Sequence, residues 1–186
     1  MKEQLNQEYK YVLLLAFALT VMGSVVIPPR TTQTPDTQNY VAMVEGKYSE
    51  AVSPFRYRVF VPALARVLPL QPLPAMRLIT VLSLFGIYSV AMLLCFRAGA
   101  GFQPTLIAVS AYFVSRPNMY NYYDPYLTDG LGLLALFLLS LYFLDSRPKC
   151  FAAVLAVGVL ARESALFVFP ACFSPESDGR QSSPLV

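Results

Sequence analysis

Residues 78–96 read LITVLSLFGIYSVAMLLCF, and none of these nineteen side chains is charged. A helix needs about 20 mostly apolar residues to cross the hydrocarbon core of a bilayer. Arg97 and the glycines at positions 99 and 101 follow directly and favour an end to the helix there. The stretch therefore predicts a helix that spans a membrane.

The composition of the whole chain agrees with this prediction. The 186 residues are 56% hydrophobic and only 13% charged, whereas a soluble domain usually has about 25% charged residues. Such a composition excludes a disordered chain, a coiled coil and an ordinary water-facing globule. It indicates an integral membrane protein whose first partner is the lipid bilayer.

Four further apolar runs flank the central one. The first, residues 11–27, is longer than the core of a usual signal peptide, and no small-x-small cleavage site follows it. An uncleaved helix is therefore favoured over a cleaved signal peptide. The other runs are residues 104–115, 126–144 and 151–173. The sequence thus predicts an all-α, polytopic helical membrane protein with about five apolar membrane segments.

The connection after the first run contains two short helical stretches. Residues 40–45 can form the first, with Asp36 or Thr37 as its cap and Gly46 ending it in the left-handed conformation. The second, residues 58–68, has arginines near one side and apolar side chains on the others. That pattern is typical of an amphipathic helix lying in the membrane interface.

The expected domain organisation is simple. Residues 1–173 form a single membrane domain, which includes the loop with short helices at 28–74. Residues 174–186 are polar and are expected to form a disordered tail.

Several kinds of site are excluded. The chain has no histidine, so a His-containing catalytic triad, a His-ligated metal site and a histidine proton relay cannot be built. Cys95, Cys150 and Cys172 are odd in number and lie in or beside apolar runs, which provides neither a disulfide framework nor zinc-site spacing. The net charge is +3, but the basic residues are scattered, so no nucleic-acid partner is expected.

The adjacent charges Arg162 and Glu163 interrupt the last apolar run. Each would cost about 2.5–3.5 kcal/mol at the centre of a bilayer. Either the helix ends at residue 161 and the pair lies at the membrane surface, or the pair faces a polar cavity. Both explanations can hold together.

Four stretches follow one another in the order found in the GT-C class of membrane glycosyltransferases. They are Asp36-x-x-x-Tyr40, PFRYRVFVPALA at 54–65, NYYDPYLTDGLGLL at 121–134 and ARESALFVFP at 161–170. Most of the chain therefore resembles the N-terminal part of that class and the bacterial multi-pass membrane proteins grouped near it. Members of the class usually have more membrane segments, so the resemblance implies a truncated member.

The resemblance implies a membrane glycosyltransferase-like protein or fragment. It would transfer a sugar from a lipid-linked donor, a polyprenyl-phosphate sugar, at the non-cytoplasmic face of the bacterial inner membrane. The loop around Lys47 would be non-cytoplasmic and the loop of residues 147–149 cytoplasmic, an orientation that the count of Lys and Arg alone does not decide. The alternative is a non-catalytic membrane protein, either a subunit or a transporter-like fragment.

By resemblance, Asp36 takes the place of the catalytic carboxylate in the first outer loop, where it would orient or deprotonate an acceptor hydroxyl. Arginine side chains would bind the phosphate of the donor. The implied substrate-binding residues are Tyr40, Arg56, Arg58, Arg116, Asp124, Asp129, Arg162 and Glu163. The resemblance implies no metal ligands and leaves a divalent cation open.

Structural roles compete with these assignments. Asp36 can simply cap the helix that follows it, and Asp124 comes directly before a proline, which is typical of a helix start. Arg56 and Arg58 can anchor to lipid headgroups. The tyrosines of residues 120–126 can stack on sugar rings or form an interfacial aromatic belt.

Overall fold

The computed structural model describes residues 2–166, with side chains from Lys10 onward. That range is all-α and contains eight α-helices and two short 3-10 stretches, Phe55–Tyr57 and residues 163–166. The α-helices are α1 (Lys2–Val26), α2 (Pro35–Val44), α3 (Phe60–Val67), α4 (Pro72–Arg97), α5 (Phe102–Phe113), α6 (Arg116–Tyr123), α7 (Asp129–Leu144) and α8 (Pro148–Ala161). The end of the last apolar run and the expected disordered tail at 174–186 lie outside the described residues.

The prediction of about five membrane segments is wrong. Within residues 2–166, only α4 is long and apolar enough to cross a membrane, judged by length and composition. Half of its most apolar window is buried inside the fold. A core helix of a water-soluble protein has the same properties, so this one helix is weak evidence for a membrane span.

The other apolar runs fail because their helices are short. The run at 104–115 becomes α5, which has 12 residues, and the run at 151–173 becomes α8, which has 14 residues and ends at Ala161. A 14-residue helix is about 21 Å long, less than the roughly 30 Å of a hydrocarbon core. In the run at 126–144, residues 126–128 belong to a turn and the helix begins only at Asp129.

α4 is the centre of the fold. It packs against α1, α3, α5 and α7, and α7 packs in turn against α8. In its middle, Leu84, Ile87 and Tyr88 are fully buried against Val12 and Ala16 of α1. Val12 also lines a cavity together with Met92 and Phe96 of the second half of α4, so the two helices run antiparallel and the end of α1 lies beside the beginning of α4.

A second buried cluster lies at the beginning of α4. Met76 and Ile79 pack there with Tyr40 and Met43 of α2 and with Val61 of α3. The expected amphipathic stretch at 58–68 is thus present as α3, which turns its apolar side inward. The cluster holds α2 and α3 against the end of the bundle where α4 and α7 begin.

The start of α2 differs from the expectation. Thr34 is its N-cap, because the Thr34 Oγ1 accepts a hydrogen bond from the backbone N–H of Thr37 at 3.1 Å. A cap at Asp36 or Thr37 is therefore wrong. At the other end, Gly46 has a φ of +89°, and its N–H donates to the Met43 carbonyl at 3.0 Å. Gly46 ends the helix in the left-handed conformation, as predicted.

Candidate functional site

Most of the predicted site residues lie at the end of the bundle where α1 and α8 finish and α4 and α7 begin. Tyr40 is buried there on α2. Its hydroxyl accepts a hydrogen bond from Arg58 Nη1 at 3.1 Å and lies 3.4 Å from the Thr128 hydroxyl. Arg58 Nε donates to Glu163 Oε2 at 2.9 Å, and a second contact joins Arg58 Nη2 to Glu163 Oε1. One guanidinium therefore ties α2 to the residues after α8.

The ion pair changes the protonation of both partners. Hydrogen bonding to Arg58 lowers the pKa of Glu163 to about 2, against the smaller opposing effect of desolvation. The same hydrogen bond raises the pKa of Arg58 above its usual value. The Glu163 side chain is 54% exposed and the Arg58 side chain 13%. Water therefore reaches the carboxylate and weakens the pair.

Arg162 turns in the opposite direction and pairs with Asp129 at the first position of α7. Its aliphatic part packs on Gly132, where a Cβ would lie 2.9 Å from the Cβ of Arg162. A glycine at 132 thus lets the chain after α8 approach α7 closely. The two neighbouring charges of residues 162 and 163 are each paired with a different element, so neither is left alone at the helix end.

Asp124 is the most deeply buried carboxylate of the site, at 1% exposure. It is the C-cap of α6, and α7 begins five residues later, so the prediction that it caps the next helix is wrong. Its Oδ2 lies 3.5 Å from Nη1 of Arg30. Arg30 also donates its backbone N–H to the Tyr123 carbonyl at 2.7 Å, and its guanidinium lies over the Tyr123 ring.

The sequence did not point to Arg30. It lies 94 positions from Asp124, in a loop just after two prolines, and no spacing rule connects the two. The general rule that a buried carboxylate needs a cation predicts a partner for Asp124, but the rule does not identify the arginine that provides it.

The Arg30–Asp124 pair leaves two buried atoms without partners. Among the described residues, Arg30 Nε and Asp124 Oδ1 make no hydrogen bond. Burial raises the pKa of Asp124, the hydrogen bond from Arg30 opposes that change, and the charge of Asp36 adds a smaller increase. The site thus holds a carboxylate that gains a proton more readily than an exposed one does.

Asp36 lies in the first turn of α2 and is partly buried. Thr34 performs the capping, and within residues 10–166 the Asp36 carboxylate forms no ion pair. It lies near enough to Asp124 and Tyr120 to raise the pKa of both. The Asp36 carboxylate therefore neither caps α2 nor pairs with a described cation, and it can interact with a substrate at the site.

A cavity of about 350 Å³ opens at this end of the bundle, with the carboxylate of Asp129 in its lining. Its lining consists of Pro117, Tyr120, Asn121, Asp129, Leu133, Leu136, Arg162 and Ser164. Burial is the largest cause that raises the pKa of Tyr120. Asp124, Asp129 and Asp36 raise it further, while Arg30 lowers it. The charges of three carboxylates thus raise the pKa of one side chain in a cavity that is lined by both polar and apolar residues.

Two of the predicted arginines lie apart from this cluster. Arg56 is exposed, donates to the hydroxyl of its neighbour Tyr57 at 2.8 Å and lies over that ring. Arg116 is exposed at the beginning of α6 and, within the described residues, forms no ion pair. Tyr122 is buried and its hydroxyl lies 3.1 Å from that of Tyr88, so it packs in the core and cannot stack on a sugar.

Within residues 2–166, no group of three or more His, Cys, Asp or Glu side chains is placed to hold a metal ion. No family model matches the chain, and neither a curated protein nor a solved structure matches it. The resemblance to GT-C enzymes and the roles drawn from it stay predictions.

Proposed function

We propose that the protein is a membrane-bound, GT-C-like transferase, or a fragment of one, that moves a sugar from a polyprenyl-phosphate donor to a hydroxyl acceptor. One observation carries the proposal. Tyr120 lines a cavity together with Asp129 and Arg162, and the negative charges of Asp124, Asp129 and Asp36 add to the effect of burial in raising the pKa of Tyr120. Carboxylates and an arginine beside one cavity are the groups that sugar transfer from a lipid phosphate requires.

Each group has a role in this chemistry. Asp36 acts as the general base that orients the acceptor hydroxyl and takes its proton as the new glycosidic bond forms. The bond between the sugar and the phosphate breaks, and the phosphate leaves with the electron pair. Arg162 stabilises the leaving phosphate through charge-assisted hydrogen bonds, for which it exchanges its contact with Asp129.

A bilayer location is supported by the outer face of α1. Leu14, Phe17 and Val25 are 62–76% exposed on this helix, while Val12 and Ala16 on its opposite face are buried. Large apolar side chains exposed in a row favour contact with an apolar environment. Hydrocarbon chains around α1 and α4 would provide it.

The test is sugar transfer from a radiolabelled polyprenyl-phosphate sugar in membranes that contain the full chain. Asp36→Asn should reduce the rate by about 10²–10⁴-fold, the usual contribution of a general base, while the amount of folded protein stays unchanged. Glu45→Gln is the matched control, because Glu45 is an exposed carboxylate at the far end of α2 whose ion-pair partner among the described residues is Lys47. Transfer that persists in Asp36→Asn would refute the catalytic role of Asp36.

A second function is favoured by a different observation. Arg58 and Arg162 are each already neutralised by a carboxylate, as in a protein that uses its ion pairs only to join helix ends. A non-catalytic membrane subunit would have this arrangement. It predicts no transfer by the well-folded wild type with any polyprenyl-phosphate sugar.

A further inference from the structure

Arg77 differs from the arginines of the candidate site in its surroundings. It lies in the second turn of α4 and is partly buried. Arg30, Arg58 and Arg162 are each paired with a carboxylate. Among the described residues Arg77 has no ion-pair partner. A partly buried cation without a counter-ion favours an anionic ligand.

The space next to Arg77 is an open cavity of about 360 Å³. Arg77 and Tyr126 are its polar members, and the remaining lining is Leu73, Pro74, Leu78 and Val81. Tyr126 is partly buried and its side chain belongs to the lining of this cavity. The cavity therefore offers one guanidinium and one hydroxyl in an otherwise apolar wall.

The apolar wall continues along the outside of α4. Leu78 is 39% exposed and Leu82, one turn further, 58% exposed. Among the described residues, α4 is also the helix that is long and apolar enough to cross a bilayer. Arg77 is five residues from the first residue of α4, which is about 7.5 Å along the axis. If α4 crosses the bilayer, the guanidinium lies at the depth of the lipid headgroups and the leucines lie at the depth of the chains.

We infer that this cavity binds the phosphate of a membrane phospholipid. Arg77 holds the phosphate oxygens by charge-assisted hydrogen bonds, and the Tyr126 hydroxyl donates a further one. An acyl chain lies along Leu78, Val81 and Leu82. The inference rests on the membrane location proposed above but not on catalysis, because none of these residues belongs to the site around Asp36.

The test uses the full chain in detergent and a fluorescent phosphatidylglycerol as the probe. Unlabelled phosphatidylglycerol should displace the probe from the wild type. Diacylglycerol, which has the chains but lacks the phosphate, and glycerol phosphate, which has the phosphate but lacks the chains, should each displace it at least about tenfold less well. Equal competition by diacylglycerol would mean a merely apolar surface, and equal competition by glycerol phosphate a site for free phosphate. Either result overturns the inference, and neither depends on a variant that must fold.

Variants then locate the site. Arg77→Gln should bind phosphatidylglycerol about tenfold more weakly, because it loses the charged donor. Arg66→Gln is the matched control. Arg66 is an exposed arginine on α3 whose guanidinium lies against Gly46 rather than in the cavity, so its loss should leave binding unchanged. Undiminished binding by Arg77→Gln, or equal weakening in both variants, overturns the assignment. Sugar transfer is measured separately, so loss of lipid binding and loss of catalysis are distinguishable.

Discussion

The ion pair between Arg58 and Glu163 supplies a prediction whose size follows from the structure. The pKa of Glu163 falls from 4.5 to about 2 because Arg58 donates hydrogen bonds to its carboxylate. At 1.36 kcal/mol per pH unit, a difference of about 2.5 between the two pKa values corresponds to roughly 3.4 kcal/mol. The carboxylate is 54% exposed, and solvent screening reduces this value to roughly 1 kcal/mol.

We therefore expect Glu163→Gln to lower the free energy of unfolding by about 1 kcal/mol at pH 7. Arg58→Gln should cost more, about 2 kcal/mol, because the Tyr40 hydroxyl also loses its donor. In a double-mutant cycle, the coupling between the two changes should be about 1 kcal/mol. Glu50→Gln, which changes an exposed carboxylate outside every ion pair of the described residues, should change stability by less than about 0.5 kcal/mol.

The pH dependence gives an independent check of sign. A carboxylate whose pKa is depressed in the folded state stabilises the protein above its unfolded pKa of 4.5. The stabilisation is lost as the pH falls from about 4.5 through the folded pKa of about 2. The wild type and Glu163→Gln should therefore differ in stability at pH 7 and converge by about pH 2. Denaturant unfolding of the full chain in detergent, followed by circular dichroism, measures both quantities. A coupling near zero, or one that stays constant between pH 5 and pH 2, would refute the reasoning.

Three further changes test other contacts, each by the same unfolding measurement. Arg30→Ala leaves the buried charge of Asp124 without its cation and should cost about 3 kcal/mol; a loss below about 1 kcal/mol would show that water replaces the guanidinium. Gly23→Ala should destabilise the fold by about 1–3 kcal/mol, because its Cβ would overlap the ring of Tyr122; a neutral result would mean that the ring moves aside. Thr34→Ala should cost about 1 kcal/mol through loss of the N-cap, and an unchanged stability would contradict the assignment of the cap.

Local signals in the sequence were sufficient for some elements. The uncharged run at 78–96 lies within α4, and the left-handed position of Gly46 is where the chain leaves α2. Both depend on interactions within a few residues, namely the burial of a continuous apolar run and the conformational freedom of glycine. The cap of α2 was misplaced by two or three residues because Thr34, Asp36 and Thr37 are all good caps, and only the backbone geometry selects between them.

The number of membrane segments could not be predicted from such local signals. An apolar run of 12–19 residues is equally consistent with a span and with a helix that packs inside a bundle. Hydropathy does not contain the information that α7 begins only at Asp129, whereas the charges of Arg162 and Glu163 had already offered residue 161 as an end of α8. Hydropathy also gives no sign that Arg162 pairs with Asp129 or that the chain after α8 packs closely on Gly132.

By itself, the sequence determined that the chain is helical, apolar and without histidine, since composition and short-range periodicity decide these properties. The tertiary structure alone decided which charges meet. Arg30 with Asp124 and Arg58 with Glu163 are 94 and 105 positions apart, and an ion pair depends on distance in space rather than on spacing along the chain. The packing of α2, α3, α7 and α8 around the beginning of α4 brings these side chains together. Among the described residues, the same packing leaves Asp36 without a cation partner and Arg77 without a carboxylate partner.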